Sequence, residues 1–202
     1  MDVKRRNMMK EKFSPSLIER MESEERKEQL PPGRLLQALR IGNGMTVLDI
    51  GAGTGYFSFP AASLTSGQVV AADPQPEMIA YMQAKAKEEN LPQLRPVLAS
   101  AERLPLQDRS VDRAIASLVL HVTDTVEQPI RELARVVKPG GLLFILEWMK
   151  KQDEARIPPP SRVEPQEMEE MLLRYGFKVI RLDYPTDRHY RMIAEREMEK
   201  GR

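Results

Sequence analysis

Cysteine is absent from the 202 residues. That excludes a disulfide framework, a thiolate metal site and a thiol nucleophile, and it leaves the redox compartment open. Histidine occurs twice, and no cluster of metal-ligating residues has ligand spacing, so no metal is expected. Neither sign of charge dominates: 31 Lys and Arg stand against 30 Asp and Glu. The basic excess of a dedicated nucleic-acid binder is missing, and no nucleic-acid partner is expected. No apolar run approaches the ~20 residues that span a bilayer. The basic start, Met1 to Phe13, lacks the apolar centre of a signal peptide. A soluble, cytoplasmic chain is the expectation, without a membrane span. The sequence carries no signal for oligomeric state.

What is present is rhythm. Residues 1–30 are dense in charge and poor in apolar periodicity, and read as an arm with a short helix at 16–21 or as a frayed terminus. Residues 31–202 read as one domain. A short helix at 32–39 precedes a buried strand at 45–50, then a helix at 56–63 and a strand at 68–73. Pro76 opens an amphipathic helix to 89. Strands at 95–100 and 111–117, a helix at 126–137 and a strand at 142–147 follow. Pro158 to Pro160 mark a stiff extended loop. A helix from Pro165 to Gly176 and two strands, 178–183 and 190–195, close the chain. Alternating strands and helices imply a parallel sheet covered on both faces. The expected class is α/β and Rossmann-like: seven strands, mostly parallel, ending in a C-terminal antiparallel hairpin.

The first strand runs into Asp49-Ile50-Gly51-Ala52-Gly53-Thr54-Gly55. Ligands of open parallel sheets bind beyond the carboxyl ends of the strands, and glycine lets backbone turn sharply and approach a ligand closely. The dinucleotide fingerprint places its third glycine three residues after the second. Tyr56 occupies that position here, which obstructs close approach to a pyrophosphate. Spacing G-x-G-x-G suits a nucleoside bearing an amino acid, and so favours S-adenosylmethionine over a nicotinamide. Asp73 ends the second strand, where a carboxylate can accept from both hydroxyls of a ribose. An exposed strand-end acid, or a cap for the helix after Pro76, is the other reading of Asp73.

Four segments together resemble the class I S-adenosylmethionine-dependent methyltransferases, in particular the small ubiquinone/menaquinone biosynthesis C-methyltransferase group. They are Val47 to Gly55, the strand end at Asp73, Ala101-Glu102-Arg103-Leu104-Pro105 with Ser110-Val111-Asp112, and Arg135-Val136-Val137-Lys138-Pro139-Gly140-Gly141. The resemblance implies residue roles. Asp49, Gly51, Ala52, Gly53 and Gly55 would lie beside the methionine half of the cofactor, and Asp73 would hold the ribose. Pro74 and Met78 would pack near the adenine, Ala101 would offer its N–H to the ring, and Ser117 would place its backbone near the amino group. Related sequences usually carry an aspartate where this one has Ser100, whose hydroxyl also accepts but reaches less far and brings no charge; the resemblance then implies either a lower cofactor affinity or compensation by Glu102. The arm is similar to forms that fold over the cofactor, with Phe13 as the aromatic closing the pocket.

Methyl transfer from a sulfonium is an in-line displacement, so alignment and exclusion of water dominate. His121, after the fourth strand, is the candidate general base; a polar residue capping the loop is the other reading. Glu147 and Trp148 end the fifth strand on the expected acceptor side, where an indole could stack on a planar or cationic group or simply fill the core. His189 and Tyr190, placed in the final hairpin loop, are weaker candidates. Met78, Met82, Met168 and Met171 fall at helical spacing expected of core residues. Ser117-Leu118-Val119-Leu120 lacks the Asn/Asp-Pro-Pro-aromatic motif of amino-directed DNA methyltransferases, and the missing cysteine excludes C5-pyrimidine and arsenite chemistry. A small-molecule acceptor is expected. The alternatives are a nicotinamide-dependent oxidoreductase, which Tyr56 disfavours, and a non-catalytic domain that binds cofactor or a partner chain.

Overall fold

A computed structural model describes residues 13–150 and 162–198. The expected loop at Pro158 to Pro160 lies outside the described residues. Helices α1 (Pro15–Met21), α2 (Glu24–Gln29) and α3 (Pro32–Leu36) lead through a 3-10 turn at Gln37–Leu39 into β1 (Val47–Ile50). Then come α4 (Ser58–Ala62), β2 (Val69–Asp73), α5 (Pro76–Glu88), β3 (Leu94–Leu98), β4 (Val111–Ser117), a 3-10 turn at Leu120–Val122 and α6 (Glu127–Val136). The chain ends with β5 (Val137–Trp148), α7 (Pro165–Arg174), β6 (Phe177–Thr186) and β7 (His189–Arg196).

The seven strands form one sheet in the order β3-β2-β1-β4-β5-β7-β6. All pairs from β3 to β5 are parallel, and β7 runs antiparallel to both β5 and β6. The expected antiparallel strand therefore lies one place in from the edge, and β6 is the edge. Strand order reverses at β1, between β2 and β4, so the glycine loop stands at the switch point where such sheets bind ligands.

Alternation along the strands sorts the core into two layers. Leu48, Ile50, Val70, Ala114, Ile145, Tyr190 and Met192 pack under α6 and α7. Val47, Val69, Ala71, Ile115, Phe144, Leu146 and Ile193 pack under α3, α4 and α5. Central strands β1 and β2 are buried throughout, as a strand covered on both faces must be.

Three expectations shift. The helix expected from 56 begins at Ser58, because residues 51–57 are consumed by the turn of the glycine loop. The helix expected to reach 137 ends at Val136, and Lys138-Pro139-Gly140-Gly141 belongs to β5 as an irregularity against β4. His189, expected in the hairpin loop, opens β7 ahead of Tyr190, and both are buried, 3% and 0% exposed. The Tyr190 hydroxyl donates to the Val163 carbonyl at 3.0 Å, and Tyr190 pairs across the sheet with Glu147.

Candidate active site

β1 ends at Ile50 and the chain turns through Gly51 and Gly53, both with positive φ (+61° and +56°), a region that costs little only for glycine. Space is closed as well. A Cβ on Gly51 would strike the Val119 side chain, and one on Gly53 would strike Met21 of the arm. The loop is thus pressed from one side by the segment after β4 and from the other by α1.

Asp73 fixes the loop's position. Its carboxylate accepts from the Gly53 N–H at 2.8 Å and the Gln75 N–H at 2.9 Å. Both readings of this acid meet in one residue: it caps the turn into α5, and it faces the glycine loop. Each oxygen retains a second acceptor lobe. Burial pushes the Asp73 carboxyl above the usual range, while the bonds from Gln75 and Gly53 pull it back. Asp49 is 2% exposed and accepts from the Ser58 hydroxyl at 2.6 Å. Burial pushes its carboxyl up to about 7, against the Ser58 bond, and Asp73 adds to the rise. Ala52 is buried and donates to the Ala72 carbonyl at 3.0 Å.

Strand alternation puts Asp49, Asp73, Ser117, Trp148 and His189 on the face that carries Val47, Ala71, Ile115, Leu146 and Ile193. Four parallel strands and the start of β7 thus send polar side chains to one edge, and the arm lies on the same side. The Thr54 hydroxyl donates to Glu22 at 2.5 Å. The Tyr56 hydroxyl donates to the Leu30 carbonyl at 2.9 Å, with the Arg26 carbonyl at 3.2 Å. Arg26 lays its guanidinium over the Tyr56 ring, 4.0 Å from the centroid. Its neighbourhood is desolvated, which lowers its pKa against the pull of Tyr56, Glu22 and Asp49.

Three buried polar atoms in this region have no protein partner: Arg26 Nε, Ser117 Oγ and His189 Nε2. Buried polar groups without partners are rare in native folds, and these three, two at strand ends and one on α2, are atoms to which a polar ligand could bond. An amino acid joined to a nucleoside fits: its carboxylate accepts, its ammonium donates, and no protein group competes for these atoms. The His189 ring stacks on Trp148 with centroids 4.0 Å apart, and Arg162 stands 5.5 Å from the indole centroid. The indole expected to stack on a cationic or planar ligand therefore already has protein partners. Burial pushes His189 down to about 4, opposed by Glu147 and assisted by Arg26; the ring is neutral at physiological pH.

His121 sits on the 3-10 turn after β4, with Nδ1 2.7 Å from Glu147 Oε2. The other Glu147 oxygen accepts from the Val119 and Leu120 N–H groups at 2.9 and 2.7 Å. Leu118 takes a left-handed φ of +53°, a strained conformation for a branched residue. It turns the chain so that two successive amides face Glu147. The carboxylate accepts from Nδ1–H, which leaves Nε2 as the basic nitrogen.

The remaining sequence candidates lie around β2 and β3. Met78 is buried and Pro74 exposed. Ser100, Ala101 and Glu102 form a tight turn in which the Arg103 N–H donates to the Ser100 carbonyl at 3.2 Å; Ala101 is buried, and Ser100 and Glu102 are half-buried. The Ala99 N–H donates to the Asp73 carbonyl at 3.1 Å, which ties this turn to the β2 end. Phe13 is half-buried at the start of the arm. The arm residues that touch the loop are Met21, Glu22 and Arg26, which sequence reasoning did not single out. No periodicity flags them, because they lie on two short helices separated by a turn. Met78, Met82 and Met168 are buried, as their spacing implied, and Met171 packs, partly buried, against the cluster that holds Met168. Among the described residues no group of His, Asp and Glu could hold a metal ion, and no helix is long and apolar enough to cross a membrane.

The methyltransferase domain family matches residues 48–145, from β1 through most of β5. An uncharacterised methyltransferase of Mycobacterium tuberculosis is 38% identical over 107 residues, 53% of this chain and 41% of that protein. A ubiquinone/menaquinone biosynthesis C-methyltransferase of Haemophilus ducreyi is 33% identical over 113 residues, 54% of this chain and 44% of that one. The chain thus spans less than half the length of the curated relatives it matches. A solved S-adenosylmethionine-dependent methyltransferase from Aquifex aeolicus superposes with a TM-score of 0.80 at 28% identity, covering 92% of this chain and all of that one. The sheet order, the glycine loop at its switch point and these likenesses agree: residues 48–145 match the methyltransferase domain family, and the chain has the fold of a class I S-adenosylmethionine-dependent methyltransferase, which implies S-adenosylmethionine as cofactor.

Proposed function

We propose that the protein transfers a methyl group to a small molecule whose nucleophilic atom gives up a proton to His121. The observation that carries this reading is the His121–Glu147 pair, 2.7 Å apart at the carboxyl end of β4, where an acceptor has to meet the cofactor's methyl group. S-adenosylmethionine supplies an electrophilic methyl on a positively charged sulfur. The protein's task is to align, to enclose and to take a proton.

Residues 31–202 are the methyltransferase domain in this reading, and residues 1–30 act as a lid. Asp49 and the backbone of Gly51, Ala52, Gly53 and Gly55 cradle the amino-acid half of the cofactor, with Ser117 at its ammonium. Asp73 offers its free acceptor lobes to the ribose. Met78, Pro74 and the turn Ser100-Ala101-Glu102 bound the adenine, and Phe13 adds cover from the arm. Glu147 holds the imidazole of His121 in the tautomer that presents Nε2 as a base. Met21 and Glu22 keep the arm on the glycine loop, which excludes water and leaves little room for a bulky acceptor.

The test uses the cofactor labelled in its methyl group. Wild-type protein is incubated with a cell extract divided by ultrafiltration into small molecules and macromolecules. Label should enter the small-molecule fraction, and His121→Ala should slow it by roughly 100-fold, the usual scale of a lost general base. Label confined to the macromolecules would overturn the acceptor class. Full activity in His121→Ala would remove the base.

A further inference from the structure

Arg26 is a half-buried cation that forms no ion pair among the described residues, and its Nε is buried. Its guanidinium turns inward from α2, donates through Nη1 to the Met21 carbonyl at 2.8 Å and covers Tyr56. Its Nε has no acceptor. Neither neighbouring acid forms an ion pair with it: the Glu22 carboxylate is engaged by the Thr54 hydroxyl and Asp49 by the Ser58 hydroxyl. A guanidinium partly withdrawn from water without a counter-ion is destabilising, and part of its planar fork of donors, the buried Nε, is left unused. That fork matches a carboxylate, which takes two parallel N–H bonds.

The position narrows the ligand. Met21 lies against Gly53 and Tyr56 follows Gly55 directly, so Arg26 stands at the mouth of the glycine loop. Asp49 is close enough to stabilise its charge. Ser117 Oγ, at the end of β4, is the unpartnered acceptor across the same edge. A cation on the arm and a hydroxyl on the sheet are the two partners that an α-amino acid head requires. We propose that Arg26 recognises the carboxylate of the cofactor's amino-acid end, so that the arm itself reads whether an intact cofactor is present. The inference rests on the placement of the cofactor at the glycine loop given above. A carboxylate on the methyl acceptor is the other source of the same chemistry.

Titration calorimetry separates these cases with two ligands. S-adenosylhomocysteine carries the carboxylate, and its decarboxylated analogue, an adenosine bearing a 3-aminopropylthio group, lacks it. The full chain should prefer S-adenosylhomocysteine by roughly 10–100-fold, the scale of one charged hydrogen-bonded pair. Arg26→Met should weaken S-adenosylhomocysteine by about the same factor and leave the analogue within about twofold. Arg26→Lys should recover part of the loss. Equal weakening of both ligands would mean that Arg26 only props the arm, and the proposal fails. Unchanged affinity for S-adenosylhomocysteine would also overturn it and would assign the cation to the acceptor. The preference of the wild-type protein needs no variant, so a misfolded substitution cannot hide a negative result. A wild type that binds neither ligand would reject the pocket itself, a distinct failure that removes this proposal with it.

Discussion

Asp49 is the only ionisable residue of β1, and its environment makes the stability of the ligand-free protein depend on pH in a defined direction. In the unfolded chain this carboxyl titrates near 3.8, whereas burial in the fold pushes it up to about 7. The folded state therefore holds the proton more tightly. Its contribution is fully present below the unfolded value and is lost as pH rises through the folded one. Three pH units at ~1.4 kcal/mol each amount to about 4 kcal/mol of destabilisation at pH 8. Asp49→Asn keeps an oxygen to accept from the Ser58 hydroxyl but carries no charge. Urea unfolding of cofactor-stripped wild type and variant at pH 5 and pH 8 measures the difference. Between those pH values the variant should gain roughly 3 kcal/mol on the wild type, or roughly 6–12 °C in melting temperature for a chain of this size. Parallel curves for the two proteins across this range would refute the assignment of a buried, destabilising charge to Asp49.

Asp73→Ala leaves the Gly53 and Gln75 N–H groups without their acceptor, which should lower stability by about 1–3 kcal/mol. It should also weaken S-adenosylhomocysteine at least tenfold in calorimetry; unchanged affinity would separate Asp73 from the ribose. Tyr56→Phe removes the hydroxyl that donates to Leu30 and Arg26 while keeping the ring under the guanidinium. A cost of about 1 kcal/mol should fall on the arm, read as faster limited proteolysis within residues 20–30. Cleavage at the wild-type rate would show that the arm is held by other contacts.

The sheet was legible because its signals are local. Runs such as Val47 to Ile50 and Val111 to Ser117 are apolar, short and bounded by turn residues, and they are strands at or within two residues of the expected ends. Element ends were less legible where tertiary contacts decide them. Pairing with β4 draws Val137 and the glycine pair into β5, although Lys138-Pro139-Gly140-Gly141 reads as a turn. The four segments of the family resemblance also divide by role. Gly51 to Gly55, Asp73 and Ala101 sit at the carboxyl edge of the sheet. Asp112 instead accepts from the Thr46 N–H at 2.9 Å and pairs with Lys138 at 2.7 Å, and Arg135 ties α6 to Leu104, Leu106 and Asp108. Those residues brace the opposite end of the sheet. A match in all four segments thus reports the scaffold as much as the site. Residues brought together by long-range contact had no sequence signal: His189 reaches the site only because β7 inserts beside β5 and pairs His189 with Trp148.

Tyr56 shows how one position serves both specificity and closure. Where a dinucleotide loop needs a third glycine for its helix to approach a pyrophosphate, this chain places a phenol. The structure gives the substitution a purpose. The hydroxyl binds two carbonyls at the end of α2, and the ring supports the Arg26 guanidinium. A glycine there would free space for a second phosphate and release the arm at once. The residue that obstructs a pyrophosphate is therefore also one that holds the arm in place. On the proposed reading, the phenol and the arm would exclude a pyrophosphate by bulk, while Arg26 would supply the cation for a carboxylate. The same residue that departs from the dinucleotide spacing is thus the one that anchors the arm to the glycine loop.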